Sequence, residues 1–318
     1  MALRNISLLI SQAREETGET DYSESGTEIN GVPQSVPLQA AREGVIHCQN
    51  VLYLADPKIF DVIGYIDGVQ SQLEYDLPAN AFLGAAIASA EYSQSGADNS
   101  YQRLSFTDYS YRSGGTGTPS RFISYGDGKF LVDPPCSTAG GKFRIVYGAT
   151  LDVPALRCGK IEARTLNGGG TLYETVVLEN DSNLNEVDLA ANEYFCVNDK
   201  DGVVKYYNVD YTAYDSGTKT LTLGSSVAVT GGTIAVGDYI TIGRYSTSHI
   251  KLHAVAEPII LAFMRRRFYL GKSSADVQGE EDNIAAFTKE AVSVYRRRVR
   301  TAKKIPFTGR FENLGRRL

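Results

Sequence analysis

From Phe60 to Gly243 the chain is cut by turn chemistry at short intervals, and this constrains its fold more than any other feature. Asp67-Gly68, Ser113-Gly114-Gly115, Gly126-Asp127-Gly128 and Asp133-Pro134-Pro135 punctuate the first half of this stretch. Asn167 to Gly170, Asp199 to Gly202, Asp215 to Gly217 and Gly231-Gly232 punctuate the second. Gly tolerates positive φ, Asn and Asp cap their own turns, and Pro fixes φ, so each cluster reverses the chain. The apolar runs between them suit strands. The spacing predicts a hairpin of Phe60–Ile66 and Val69–Tyr75 across Asp67-Gly68. Leu104–Tyr109, Arg121–Tyr125, Lys129–Val132 and Lys142–Tyr147 are further strand candidates. Leu77 to Ala90 reads as a strand or a short helix. Cys158–Gly243 forms a second β-rich stretch with runs such as Glu174–Leu178, Val203–Val209, Thr220–Leu223 and Tyr239–Ile242, which suggests a small barrel or sandwich.

Both ends of the chain carry helical periodicity instead. Leu3, Ile6, Ile10 and Ala13 lie on one face of a helix over Leu3 to Glu15. Leu38, Ala41, Val45, Cys48, Leu52 and Ala55 mark a second helix, with Ser35 as N-cap, Pro37 in its first turn and Pro57 at its end. An acidic, polar loop over Thr17 to Asn30 separates the two. Helices return after Ser248, from Pro258 to Leu270 with Gly271 as C-cap and from Glu280 to Lys304. The latter has Ile284, Phe287, Ala291 and Val294 on its apolar face. The expected fold class is α+β: N- and C-terminal helices packed as a helical bundle with a β-sheet or sandwich core, plus an inserted small all-β domain. Residues 1–157 and 244–318 are assigned to the body and 158–243 to the insertion.

Charge divides the chain where periodicity does. Residues 1–250 carry 17 Lys and Arg against 30 Asp and Glu, a net of -13, whereas residues 251–318 carry 15 against 7, a net of +8. A basic arm on an acidic body implies an electrostatic partner, either nucleic acid or an acidic protein surface. Arg296, Arg297, Arg298 and Arg300 crowd the last turns of the final helix, where cations complement the helix dipole. With Tyr295 to stack they also suit phosphates, but an interface helix pairing with carboxylates of a neighbouring protein is the favoured reading. The 20 Tyr and 12 Phe, with no Trp, suit half-buried sheet faces and subunit contacts. Neither a secretory leader at Met1 to Ile10 nor a span-length apolar run is apparent, Pro258 to Met264 being far too short. A non-membrane protein made in the cytoplasm is expected.

The motifs of catalysis and cofactor binding are weak throughout. Cys48, Cys136, Cys158 and Cys196 form no CxxC pair, and three His are too few for a convincing zinc site, so buried thiols are expected. Gly271-Lys272-Ser273 ends like a phosphate loop, but Arg266 stands where the first glycine belongs, and Gly128-Lys129 is followed by Phe130. Asn198 to Gly202 resembles part of a calcium loop. Alignment on Gly202 puts Val197 and Asn208 in ligand positions, so a tight turn explains it better. His47 and Cys48 are adjacent and point to different helix faces. His249 and His253, four apart, fit one helix face without an HExxH pattern. No catalytic residue, cofactor-binding residue or metal ligand is assigned, and the chain is expected not to be an enzyme.

The order of these pieces carries a resemblance. Two helices lead to Leu73-Glu74-Tyr75-Asp76-Leu77-Pro78, then to Thr118–Pro135 and Lys142–Ala149, and two helices with a basic tail close the chain. This resembles the head-to-tail adaptor family of tailed bacteriophages, also called connector, tail tubular or head-completion proteins. Its proline-bearing segment maps onto Tyr75, Leu77 and Pro78. Its strand–turn–strand segment maps onto Tyr125, Phe130, Leu131, Pro134 and Pro135, and its following strand onto Tyr147. The match covers residues 1–155 and 248–318 and leaves Cys158–Gly243 unassigned.

The resemblance implies a virion structural protein, assembled in the host cytoplasm, whose copies form a ring of twelve beneath the portal protein. Double-stranded DNA would pass non-specifically through its lumen, with neck and tail proteins below. The C-terminal tail would dock on the portal through Ile305, Pro306, Phe307, Arg310, Phe311, Leu314, Arg316 and Arg317, and no membrane would be involved. Another neck, tail-tube or baseplate subunit is an alternative. A receptor- or carbohydrate-binding virion protein using the β insertion is a second.

Overall fold

The computed structural model describes residues 4–19, 34–78, 80–82, 87–107, 115–125, 128–180, 184–224, 234–250, 254–270 and 272–303. The chain opens with β1 (Arg4–Asn5), α1 (Ile6–Thr17) and α2 (Ser35–Ala55). Eight strands follow: β2 (Asp61–Asp67), β3 (Glu74–Asp76), β4 (Ser89–Ser93), β5 (Gln102–Arg103), β6 (Ser105–Phe106), β7 (Arg121–Tyr125), β8 (Lys129–Asp133) and β9 (Lys142–Gly148). Then come β10 (Val153–Pro154), β11 (Arg157–Leu166), β12 (Tyr173–Leu178), α3 (Glu186–Ala191), β13 (Tyr194–Asn198), β14 (Val204–Asp215), β15 (Thr220–Leu223) and β16 (Tyr239–Ile242). The chain continues through β17 (Ser246–Thr247), β18 (His249–Ile250), α4 (Glu257–Tyr269) and α5 (Ser274–Lys303). The fold is α+β, and by its contacts the chain divides into two compact units, Met1–Val51 with Leu151–Leu318, and Leu52–Thr150.

The first unit combines helices with a closed barrel. The helices begin and end where side chains satisfy free backbone groups. Asn5 caps α1 by accepting the Ser7 N–H at 2.8 Å, and Gly18 ends it in the left-handed region. Ser273 accepts the Asp276 N–H, so α5 starts at Ser274, before the expected Glu280. Ile6, Leu9, Ile10 and Ala13 of α1 are buried, as are Ile259, Ile260, Ala262 and Met264 of α4. Helix α2 passes close to α4 at Gly44: a Cβ there would lie 3.2 Å from the Ile260 Cα, tighter than an ordinary contact.

The barrel has the strand order β11-β12-β15-β14-β13-β16 and closes between β16 and β11. Phe195, Ile161, Leu178, Val176, Leu221 and Ile240 fill it, and Leu189 of α3 joins them. The expected strands Glu174–Leu178, Thr220–Leu223 and Tyr239–Ile242 are all present. Val203–Val209 is the first half of a longer β14, and β11 and β13 had no counterpart in the sequence reading. At the root of the barrel β10 and β17 pair in parallel, Val153 with Ser246 and Pro154 with Thr247. Asn198 donates to Thr241 Oγ1 at 2.9 Å, Thr247 Oγ1 donates to Asn198 Oδ1 at 3.4 Å, and Ser246 Oγ donates to the Thr241 carbonyl at 3.0 Å. All four of these side chains are buried, and the bonds offset their desolvation.

The second unit is a pair of four-stranded sheets, β2-β9-β4-β5 and β3-β8-β7-β6. Tyr75, Phe130 and Phe143 meet at their shared core, with Tyr92 against Phe143 at 4.9 Å between centroids. The expected hairpin across Asp67-Gly68 is not formed. β2 pairs with β9 along its whole length and β3 pairs with β8, so the chain crosses from one sheet to the other between them. The crossing is held by the Gly68 N–H on the Gly141 carbonyl and by the Tyr75 hydroxyl, which bonds both backbone groups of Val69 at 3.1 Å. Those bonds outcompete a two-residue turn. Of the expected Leu104–Tyr109 strand, Ser105–Phe106 forms β6 and pairs with β7, and Asp108 and Tyr109 lie outside the described residues; β5, just before it, pairs with β4 in the other sheet.

Candidate interface at the basic C-terminal helix

The first half of α5 is fixed by ion pairs rooted in α4. Arg265 holds Glu280 by two hydrogen bonds, Nε to Oε1 at 2.9 Å and Nη2 to Oε2 at 3.0 Å. Its Nη1 reaches Glu16 of α1 at 2.6 Å, so one guanidinium ties three helices together. Arg266 pairs with Glu281 at 3.1 Å, and Lys272 pairs with Glu19. Burial works against the Arg265 charge, yet Glu280 and Glu16 raise its pKa. Burial also pushes Glu16 up, but hydrogen bonds from Gln12 and Arg265, with the charge of Arg265, hold it below the usual carboxylate range. A bidentate Arg with a second carboxylate is the geometry that makes such a buried pair tolerable. Sequence reasoning missed this cluster. Its signal was three Arg in the otherwise apolar α4, followed by Glu280-Glu281-Asp282.

In the second half of α5 the one carboxylate is Glu290. Ala291 and Tyr295 are the last buried residues of the helix among those described, and Arg296 is exposed. Thirty residues span about 45 Å at 1.5 Å per residue, against about 20 Å for the 13 of α4. Arg296, Arg297, Arg298 and Arg300 lie on this helix, though the side chains of the last three fall outside the described residues. By their i,i+4 and i,i+3 spacing, Arg300 shares a face with Arg296 and with Arg297, and Arg298 lies on another. No Asp or Glu stands three or four positions from any of them, so the helix supplies none of the pairs that normally offset such charge. The predicted docking residues Ile305, Pro306, Phe307, Arg310, Phe311, Leu314, Arg316 and Arg317 lie outside the described residues, as do His253 and Gly271.

The motifs set aside in the sequence take structural places. Asn198 to Gly202 forms the β13–β14 turn: Asp199 Oδ1 accepts the N–H groups of Asp201 and Val203, and Gly202 has φ of 83°. All four cysteines are buried free thiols, and burial pushes Cys48 up to about 12. His47 faces Thr288 at 3.0 Å while Cys48 faces the Ala256 carbonyl. His249 lies on strand β18, not on a helix, and its ring meets Ser248 Oγ at 2.9 Å; the backbone there pairs with β1. Among the described residues no three His, Cys, Asp or Glu gather as ligands for a metal ion, and no helix is long and apolar enough to cross a membrane. No protein-family profile matches the chain, and no curated protein matches it.

Proposed function

We propose that this chain is a virion structural protein without catalytic activity, a head-to-tail adaptor of a tailed bacteriophage. Its copies form a ring, of twelve by the resemblance, between the portal protein and the downstream neck proteins. Double-stranded DNA passes through the lumen without being read. The observation that carries the reading is the Arg run at the end of α5, with no carboxylate at helix-neighbour spacing, set on a chain whose first 250 residues are strongly acidic. A helix end with that much charge suits an acidic neighbour. The acidic body suits a channel along which DNA slides, because like charges do not stick. Beyond α5, Phe307 and Phe311 among Arg residues suit anchoring in grooves between portal subunits, where buried aromatic anchors typically contribute about 2 kcal/mol or more.

Truncation of Pro306–Leu318, followed by co-sedimentation with purified portal rings, tests this directly. The truncated chain is expected to keep its far-ultraviolet circular dichroism and to lose portal binding. Undiminished binding overturns the assignment of the docking site, and electron microscopy that finds the protein away from the portal vertex overturns the adaptor reading itself.

A further inference from the structure

Among the described residues strand β2 is an edge of its sheet. Seven residues, Asp61 to Asp67, pair in regular register with β9 from Gly148 to Lys142 on one side. Natural edge strands are blunted by shortness, by Pro or Lys, or by a bulge. Apart from Asp61 and Asp67 at its ends this strand has no charge, Pro or register shift, and between them it exposes 60% of Ile63 and 56% of Tyr65. At the opposite edge β5 ends the same sheet with Gln102 and Arg103 exposed.

The topology makes these two edges complementary. Every neighbouring pair in β2-β9-β4-β5 is antiparallel. With four strands, β5 therefore runs opposite to β2. A second copy brought alongside by simple rotation presents its β5 antiparallel to β2, and the sheet continues without inversion. The outer face has a matching row. Tyr65 stands opposite Arg144, Arg144 opposite Glu91 and Glu91 opposite Arg103. Within the row the Arg144 Nε donates to Glu91 at 2.6 Å, and its guanidinium lies 4.5 Å from the centre of the Tyr101 ring. Continued in register, the row places Arg103 of one copy opposite Tyr65 of the next, with Asp67 at the diagonal position. By contrast, β2 paired along its full length with β2 of a second copy sets Asp61 against Asp67 twice, which is repulsive.

We infer that the β2 edge of Leu52–Thr150 receives β5 of a second copy of this chain, joining subunits head to tail through Tyr65 and Arg103. Such a heterologous contact closes into a ring when its rotation permits; that closure rests on the adaptor reading, while the contact itself does not. The test uses two full-length variants. Ile63→Lys with Tyr65→Lys blocks β2 and leaves β5 intact, and Arg103→Glu blocks β5 and leaves β2 intact. Arg103→Lys serves as the charge-preserving control. Circular dichroism and thermal melting first verify that each is folded, with Tyr65→Lys alone as the fallback for the double variant.

In sedimentation velocity the wild type and Arg103→Lys are expected to form multi-copy species, each blocking variant alone to be monomeric, and the equimolar mixture of the two blocking variants to give a one-to-one dimer and nothing larger. Blocking variants that assemble like the wild type overturn the inference. A mixture that stays monomeric overturns the head-to-tail pairing. A wild type that is monomeric at every concentration overturns the contact, whereas loss of portal binding on tail truncation reports separately on the adaptor reading.

Discussion

Six strands between Arg157 and Ile242 close on themselves, while the eight described strands between Asp61 and Gly148 end in four open edges. Both regions are built from short, mostly antiparallel strands around aromatic and branched side chains, so composition does not separate them. Closure does. In the barrel every strand has two neighbours, and no backbone edge is left to offer a partner. In the open sheets three edges are short, β3, β5 and β6, and β3 carries Glu74 and Asp76 on its rim. β2 is the long edge of the four, apolar between its terminal Asp61 and Asp67. The contrast teaches that the barrel completes its own hydrogen bonding, whereas the open sheets leave one ladder for another molecule to finish.

Core truncations should separate the two regions most strongly. Phe143→Ala removes a fully buried ring from β9, the strand that supports β2. It should cost about 3–5 kcal/mol in urea denaturation and abolish self-association with it. Phe195→Ala in the barrel should cost about as much and leave self-association unchanged. If Phe195→Ala also dissolves the assembly, the barrel takes part in the contact and the comparison fails.

The helices attached to the barrel depend on the Arg265 cluster. Glu280→Ala leaves a guanidinium that is only 15% exposed with Glu16 as its remaining carboxylate. Loss of about 3 kcal/mol is expected, at the low end for a broken buried pair because that second carboxylate stays. Hydrogen exchange should place the loss in α4 and α5, with the amides of β9 unaffected. Protection lost equally in β9 would mean that the two regions do not respond separately.

Acidification should give the smallest effect and should again favour one region. Burial lowers the pKa of His249, and the nearby Arg157 lowers it further, against the pull of Asp199 and Asp201; burial lowers His47 as well. A lowered pKa in the folded state means that the unfolded chain takes up the proton first, so stability rises with pH through this range. It is fully present above the ordinary His value of 6.5 and is lost as pH falls below it. Urea midpoints measured at about pH 7.5 and about pH 5.5 should therefore differ, and His249→Asn should reduce that difference. No change in the slope with this variant would remove His249 as its source.

Much of this contrast was legible in the sequence, for local reasons. Turn chemistry located most strands, and the Asp199–Gly202 turn was read correctly because Asp199 makes its bonds within four residues. The four helices at the chain ends followed from periodicity. What failed was pairing. Asp67-Gly68 is ideal for a hairpin, yet β2 takes a partner some 80 residues away, because the full register with β9 and the lock of Tyr75 on Val69 outweigh a local turn. Helix periodicity at His249 failed for a similar reason, since its partner Asn5 in β1 lies far along the chain. β11 was missed because Arg157–Leu166 alternates apolar and charged residues without a strong apolar run. At the basic C-terminal helix the Arg cluster was evident as composition, but Arg265 as the tie between α1, α4 and α5 needed the fold.

The parallel pairing of Val153–Pro154 with Ser246–Thr247 has a consequence for how this chain tolerates change. The polypeptide enters and leaves the barrel side by side, one strand's width apart, about 4.8 Å. Loops within the barrel therefore lengthen or shorten without altering the distance that the rest of the chain must bridge. The place of entry is sealed by the buried set of Asn198, Thr241, Ser246 and Thr247. Changes of length in the barrel's loops are therefore expected to cost little, and substitutions at these four buried residues to cost more.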